Sequence, residues 1–152
     1  MAEVTTALDA DTVSATAIVD APAEVIFDFL RRPANHATIS GDRSVRGTVV
    51  GPEVLGAGDR FGMSMRIVVP YRVTSKVVEF EDGRRIAWSH FYGHRWRWTL
   101  EPVDAGRTRV TETFDLSTAV APFVLRLTLG LPRNHRGNVA KSVRNLAAHF
   151  EA

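Results

Sequence analysis

The stretch HRWRWTLEPVDAGRTRVTETFDL, residues 94–116, decides the fold. Its first half alternates: Trp96, Trp98 and Leu100 fall on one face and Arg95, Arg97, Thr99 and Glu101 on the other, the period of a half-buried strand. Asp104 to Gly106 supplies a short turn, and the second half alternates again, with Val110, Phe114 and Leu116 sharing a face. The pattern predicts a long antiparallel hairpin with two indoles aimed the same way, followed by a helix. One residue breaks it, because Glu112 puts a carboxylate in the apolar row between Val110 and Phe114.

Upstream, four more runs alternate in the same way: SVRGTVV from Ser44, DRFGMSMRIVV from Asp59, YRVTSKVVEF from Tyr71 and RRIAWSHF from Arg84. Gly51-Pro52, Gly56, Gly58, Pro70, Asp82-Gly83 and Gly93 bound them as turn signals. Links this short join antiparallel neighbours, since parallel neighbours need crossovers of about a dozen residues or more. The expected sheet is a strongly curved six-stranded meander, with TVSATAIV, residues 12–19, as a seventh strand after a flexible lead of residues 1–10.

A helix follows that opening strand, with Asp20 as its N-cap, Pro22 and Glu24 in the first turn and Val25, Ile26, Phe29 and Leu30 as its apolar stripe. Pro33 stops it at about Arg32, and PANHATIS, residues 33–40, reads as a second short helix. After Ser117 the chain turns helical again through Phe123, Val124, Leu127 and Leu131, interrupted by Gly130 and Pro132. Val139, Val143, Leu146 and Phe150 then mark one face of a long C-terminal helix. The order predicts an α+β fold in which that helix covers the concave face of the sheet. Phe61, Met63, Met65, Ile67, Trp88, Trp96 and Trp98 are broad enough to line a wide interior between the two.

Composition bounds the function. A chain of 152 residues, 45% hydrophobic and 24% charged, suits one domain spanning 1–152. Nineteen basic residues against 17 acidic ones leave +2, without a concentrated basic block, so nucleic acid is not implied as a partner. With no cysteine, disulfides, thiolate metal sites and cysteine nucleophiles are excluded. The first residues lack a basic n-region and an apolar h-region, and no apolar run approaches the ~18 residues of a membrane span. The expectation is a soluble cytoplasmic protein without stable membrane insertion.

Four features together resemble the helix-grip, START-like superfamily, and within it the bacterial polyketide cyclase/dehydrase-like proteins. They are the opening strand with DAPAEVIFDFL (residues 20–30), the Trp-x-Trp-x-Leu-Glu-Pro strand from Trp96 to Pro102, the Gly-x-Thr-x-Val turn and strand from Gly106 to Val110, and the terminal helix. The resemblance implies a curved sheet of about seven strands wrapped around a long C-terminal helix, holding a hydrophobic ligand between them and needing no cofactor. These are fold markers, and function rests on the site rather than the fold.

The candidate cavity wall is Met63, Met65, Trp88, Trp96, Trp98 and Phe114. Glu112 either protrudes into the cavity, pairs internally, or sits on a twist at a wet rim; in an apolar pocket it could move a proton. His90 shares a face with Ile86 and Trp88 and is the histidine best placed to look inward, as a base or as a satisfied core group. Tyr71 and Tyr92 stand at strand ends where a mouth would lie, and Asn134 and Asn138 lie one turn apart near the start of the last helix. Arg66 and Arg72 should face outward. His90 and His94 straddle the turn at Gly93, and no second histidine pair has ligand spacing, so no metal is expected. Hydrolase, kinase and dehydrogenase motifs are absent. The leading expectation is binding of a lipid-like or polycyclic small molecule. A cyclase/dehydrase using Glu112, His90 and Tyr71 is the alternative, and a non-enzymatic interaction module the second; a homodimer is compatible with any of them.

Overall fold

The computed structural model describes residues 2–41, 44–66, 68–90 and 92–151, the side chains of residues 47–49 excepted. Ile67, expected from the sequence to face inward, lies outside the described residues. One eight-stranded antiparallel sheet runs in the order β1-β2-β8-β7-β6-β5-β4-β3. Its strands are β1 (Thr5–Leu8), β2 (Thr12–Val19), β3 (Val45–Val50), β4 (Arg60–Arg66), β5 (Pro70–Glu81), β6 (Arg85–Ser89), β7 (Arg95–Asp104) and β8 (Arg107–Asp115). The helix-grip architecture read from the sequence is the one observed, with eight strands rather than seven. The additional strand is β1, which pairs Thr5–Leu8 with Thr16–Val13.

The sheet curls because three of its pairings slip. Register shifts fall between Val45 and Val49, between Val77 and Glu79, and between Pro102 and Asp104. A bulge of this kind bends its strand and increases twist. Helix α1 (Ala23–Leu30), a 3-10 turn (Pro33–Asn35) and α2 (His36–Ile39) close one side, and α3 (Pro122–Leu129) leads into α4 (Arg136–Phe150). Val139, Val143 and Leu146 of α4 are fully buried, and the helix lies across β2 and β8. Among the described residues no helix is long and apolar enough to cross a membrane.

Helix α1 is rotated from the expected stripe. Its buried residues are Ala23, Ile26, Phe27 and Leu30, while Val25 is 47% exposed. Spacing of three and four residues from Ala23 selects that face. Phe29 turns toward the end of α4, 4.4 Å from the His149 ring and 5.6 Å from Phe150. Pro22, not Asp20, occupies the N-cap, and no side chain caps the helix.

The outer face of the sheet carries an ion network. Arg97 donates from Nε and Nη2 to the two oxygens of Glu79 at 2.9 and 2.7 Å, and from Nη2 to Asp115 at 3.1 Å; Arg95 reaches Glu79 at 2.8 Å. Glu79 and Arg97 are separated in the sheet by Ala87, whose methyl group leaves room for the bridge. The Arg97 hydrogen bond is the main cause holding the Glu79 carboxyl down at about 2, against an ordinary 4.5. A depressed carboxyl stabilises the fold fully above its ordinary value and ceases to do so as pH falls toward about 2. Arg97→Met should therefore cost about 1–2 kcal/mol near neutrality, after allowing for solvent screening. It should also flatten the acid limb of stability between about 4.5 and 2, read from denaturant midpoints across pH. An unchanged acid limb would count against the network.

Candidate functional site

A cavity of about 410 Å³ opens between the inner faces of β4 to β8 and the first half of α4. Alternation on each strand determines what it sees. On β7, Trp96 and Trp98 face it; on β6, Trp88, with His90 just beyond; on β4, Met63 and Met65; on β5, Tyr71, Val73 and Ser75. The three tryptophans of the chain thus line one space. Glu112 stands opposite Trp98 in the β7–β8 register and is 6% exposed, so the exception in the apolar row is a buried carboxylate on the cavity wall. Asn134 lies at the rim, its side-chain amide donating to the Leu129 carbonyl at 2.9 Å. Two residues of the expected lining are set behind the wall: Phe61, buried with its ring 5.8 Å from Trp88, and Phe114. Phe114 is fully buried, with its ring 4.7 Å from Trp96 and 4.6 Å from His135. Arg66 and Arg72 are exposed, as their alternation required.

Four of the five histidines line the cavity: His36, His90, His94 and His135. His36 stacks on Trp88 at 4.6 Å and bonds through Nε2 to the Leu30 carbonyl at 2.9 Å. The His90 and His94 rings lie 4.8 Å apart, and His90 Nδ1 is 3.5 Å from the Ser75 hydroxyl. Burial pushes His36, His90 and His94 down to about 4; for His94 the charged forms of His90 and His135 add to it. All three are neutral imidazoles at physiological pH, able to donate or accept a hydrogen bond without bringing a charge into the apolar space. The Trp98 indole Nε1 is buried with no acceptor among the described residues. A buried N–H in that state costs free energy that a ligand oxygen would recover. Among the described residues no three His, Asp or Glu side chains form a group able to hold a metal.

His94 was detectable in the sequence, since it continues the 94, 96, 98 alternation of the tryptophan face. His36 and His135 were not, because they reach the cavity from a short helix and a helix connection. Gly41 shows how close that approach is: a Cβ there would collide with the Asn138 carbonyl oxygen, and the Gly41 N–H donates to Ser142 Oγ at 3.1 Å. A second depression, about 540 Å³, lies outside, between β1, β2 and the end of α4. Glu3, Asp20, Arg107, Arg109 and Glu151 line it, which suits solvent rather than an apolar guest.

Comparison with known proteins agrees with this architecture. Residues 10–151 match the family described as polyketide cyclase / dehydrase and lipid transport. An uncharacterised protein of Mycobacterium tuberculosis, Rv0088, is 40% identical over 110 residues, which make up 72% of this chain and 49% of that one. The chain therefore spans about half the length of the curated relatives it matches. Among solved structures, the Zhui aromatase/cyclase of a Streptomyces species superposes with a TM-score of 0.68 at 18% identity, covering 98% of this chain and 94% of that one. A Rhodobacter sphaeroides protein superposes at 0.65 and 18% identity, covering 97% of both chains. At such identities the likeness is one of fold. With a curled sheet gripping a C-terminal helix around an aromatic-lined cavity, and a family match over nearly all of its length, this chain belongs to the polyketide cyclase/dehydrase and lipid transport family of START-like proteins.

Proposed function

We propose that this protein works in the cytoplasm as a single domain that takes up a hydrophobic small molecule, polycyclic or lipid-like, in the cavity between sheet and C-terminal helix. The observation that carries the proposal is the convergence of all three tryptophans with Met63, Met65 and Val73 on one space of about 410 Å³. That volume falls within the ~300–1,000 Å³ of small-molecule sites. Burying ~200 Å² of apolar ligand surface contributes about 5 kcal/mol before the cost of association. Neutral imidazoles and the Trp98 N–H then orient a few ligand oxygens at little desolvation cost. Native mass spectrometry of the purified protein after incubation with a panel of polycyclic and fatty compounds tests this. A one-to-one complex is expected, and failure to retain any of them at micromolar concentration would contradict the proposal.

A second reading is favoured by Glu112 and His90 lining the same apolar space. There a buried carboxylate or neutral imidazole would abstract a proton from a poly-β-carbonyl substrate while the Tyr71 hydroxyl polarises a carbonyl. Glu112→Gln and His90→Ala, taken as a pair, separate the two readings, with at least one of them carrying the loss if a proton is transferred. Under binding alone, affinity changes by less than about tenfold, the effect of one hydrogen bond. Under proton transfer, turnover of a poly-β-ketone falls about a hundredfold or more with binding retained.

A further inference from the structure

We propose that the rim of the cavity docks on an anionic lipid bilayer through α3 and the β4–β5 turn. The sheet register places these two elements at the same end of the molecule. β8 ends at Asp115 beside the start of β7 at Arg95, β6 ends there at Ser89, and β5 continues past Ser89 from Lys76 back to Pro70. The β4–β5 turn, α3 and the start of α4 therefore surround one opening. Both rim elements put apolar side chains into water: Val68 is 83% exposed and Val69 65%, while on α3 Phe123 is 62% and Leu127 71% exposed. Helix α3 buries only Leu125, and Arg126 ties it to Asp11, so the Phe123, Val124 and Leu127 face points away from the body of the protein. This outer face is continuous with the cavity through Leu129, which ends α3 and lines the interior.

Charge selects the occupant. Segments 60–78 and 116–150, which carry the turn, α3 and α4, contain no Asp or Glu, although the chain has 17 acidic residues. Arg66 and Arg72 flank the turn and Arg133 follows α3. With Arg126 already paired to Asp11, the cations left at this rim are Arg66, Arg72 and Arg133, and an apolar patch flanked by them matches the boundary of an anionic bilayer, where side chains enter the acyl region and arginines meet headgroups. Such docking would let an apolar guest pass between bilayer and cavity without crossing water.

The test is flotation of the purified protein with vesicles containing phosphatidylglycerol and, separately, with pure phosphatidylcholine vesicles, over a range of salt. Capture by the anionic vesicles is expected, weakening as salt rises. The double substitution Phe123→Ser and Leu127→Ser should reduce it about tenfold or more, and Arg133→Gln about fivefold. Phe123 and Leu127 do not line the cavity, so binding of a soluble polycyclic probe should be unaffected by the double substitution; loss of docking and loss of ligand binding are thus told apart. Absence of capture at low salt, or equal capture of the wild type and the double variant, would overturn the proposal. So would a wild-type dimer that the double substitution converts to a monomer, since a second copy would then cover the patch.

Discussion

Val73→Phe is expected to abolish uptake of a polycyclic ligand while leaving the fold intact. Val73 is 6% exposed, pairs with Met63 across β4 and β5, and lines the cavity. A phenyl ring at this position keeps the strand preference of a large apolar side chain and projects into open space rather than into packed neighbours. Overpacking of a filled core would cost about 1–3 kcal/mol, whereas here the space is already present and the loss of stability should be smaller. The ligand has no such latitude, because the substituted ring occupies volume the guest requires. Affinity for a polycyclic probe should fall about a hundredfold, with the thermal midpoint shifted by no more than a few degrees. An unchanged affinity would place the ligand elsewhere.

Acidification between pH 6.5 and about 4 is expected to destabilise the protein steeply. His36, His90 and His94 titrate near 4 in the folded chain and near 6.5 when exposed. Between those values the unfolded chain binds protons that the folded chain does not, so stability rises with pH through the window and is fully present above it. Each histidine contributes a slope of at most about 1.4 kcal/mol per pH unit. Glu79 extends the loss below 4.5 with the same sign, toward about 2. Denaturant unfolding at a series of pH values measures the slope. His36→Phe, which keeps the ring stacked on Trp88 and against Phe61, should remove one histidine's share. A flat profile from pH 6.5 to 5 would show that the imidazoles are not held neutral by burial.

Much of this was legible in the sequence because strands with a period of two declare their faces. The row Trp96, Trp98 predicted a cavity wall, and Glu112 stood out as its only charge; both line the cavity. Met63, Met65 and Trp88 followed from the same alternation. Phe114 shared that alternation yet lies behind the wall, since periodicity gives the face of a strand and not the depth at which curvature leaves each residue. Helical stretches were less legible. The α1 face is set by the order in which Ile26 and Phe27 meet the sheet, and nothing local distinguishes Phe27 from Phe29. Likewise, Phe123, Val124 and Leu127 read as a helix awaiting a core, but only Leu125 found one. His90 and His94 flank one hairpin turn, but His36 and His135 come from distant segments, so their convergence on that pair is a property of the fold rather than of any spacing.

Because Trp88, Trp96 and Trp98 are the only tryptophans in the chain and all line the cavity, intrinsic fluorescence reports its occupancy directly. Titrating the protein with pyrene, whose absorption overlaps indole emission, is the most direct test of the central claim. Saturable quenching with one pyrene per chain is expected in the wild type, and only weak, unsaturated quenching in Val73→Phe. Linear quenching identical in the two proteins would mean that pyrene meets the indoles only by collision, and that the cavity does not hold a ligand.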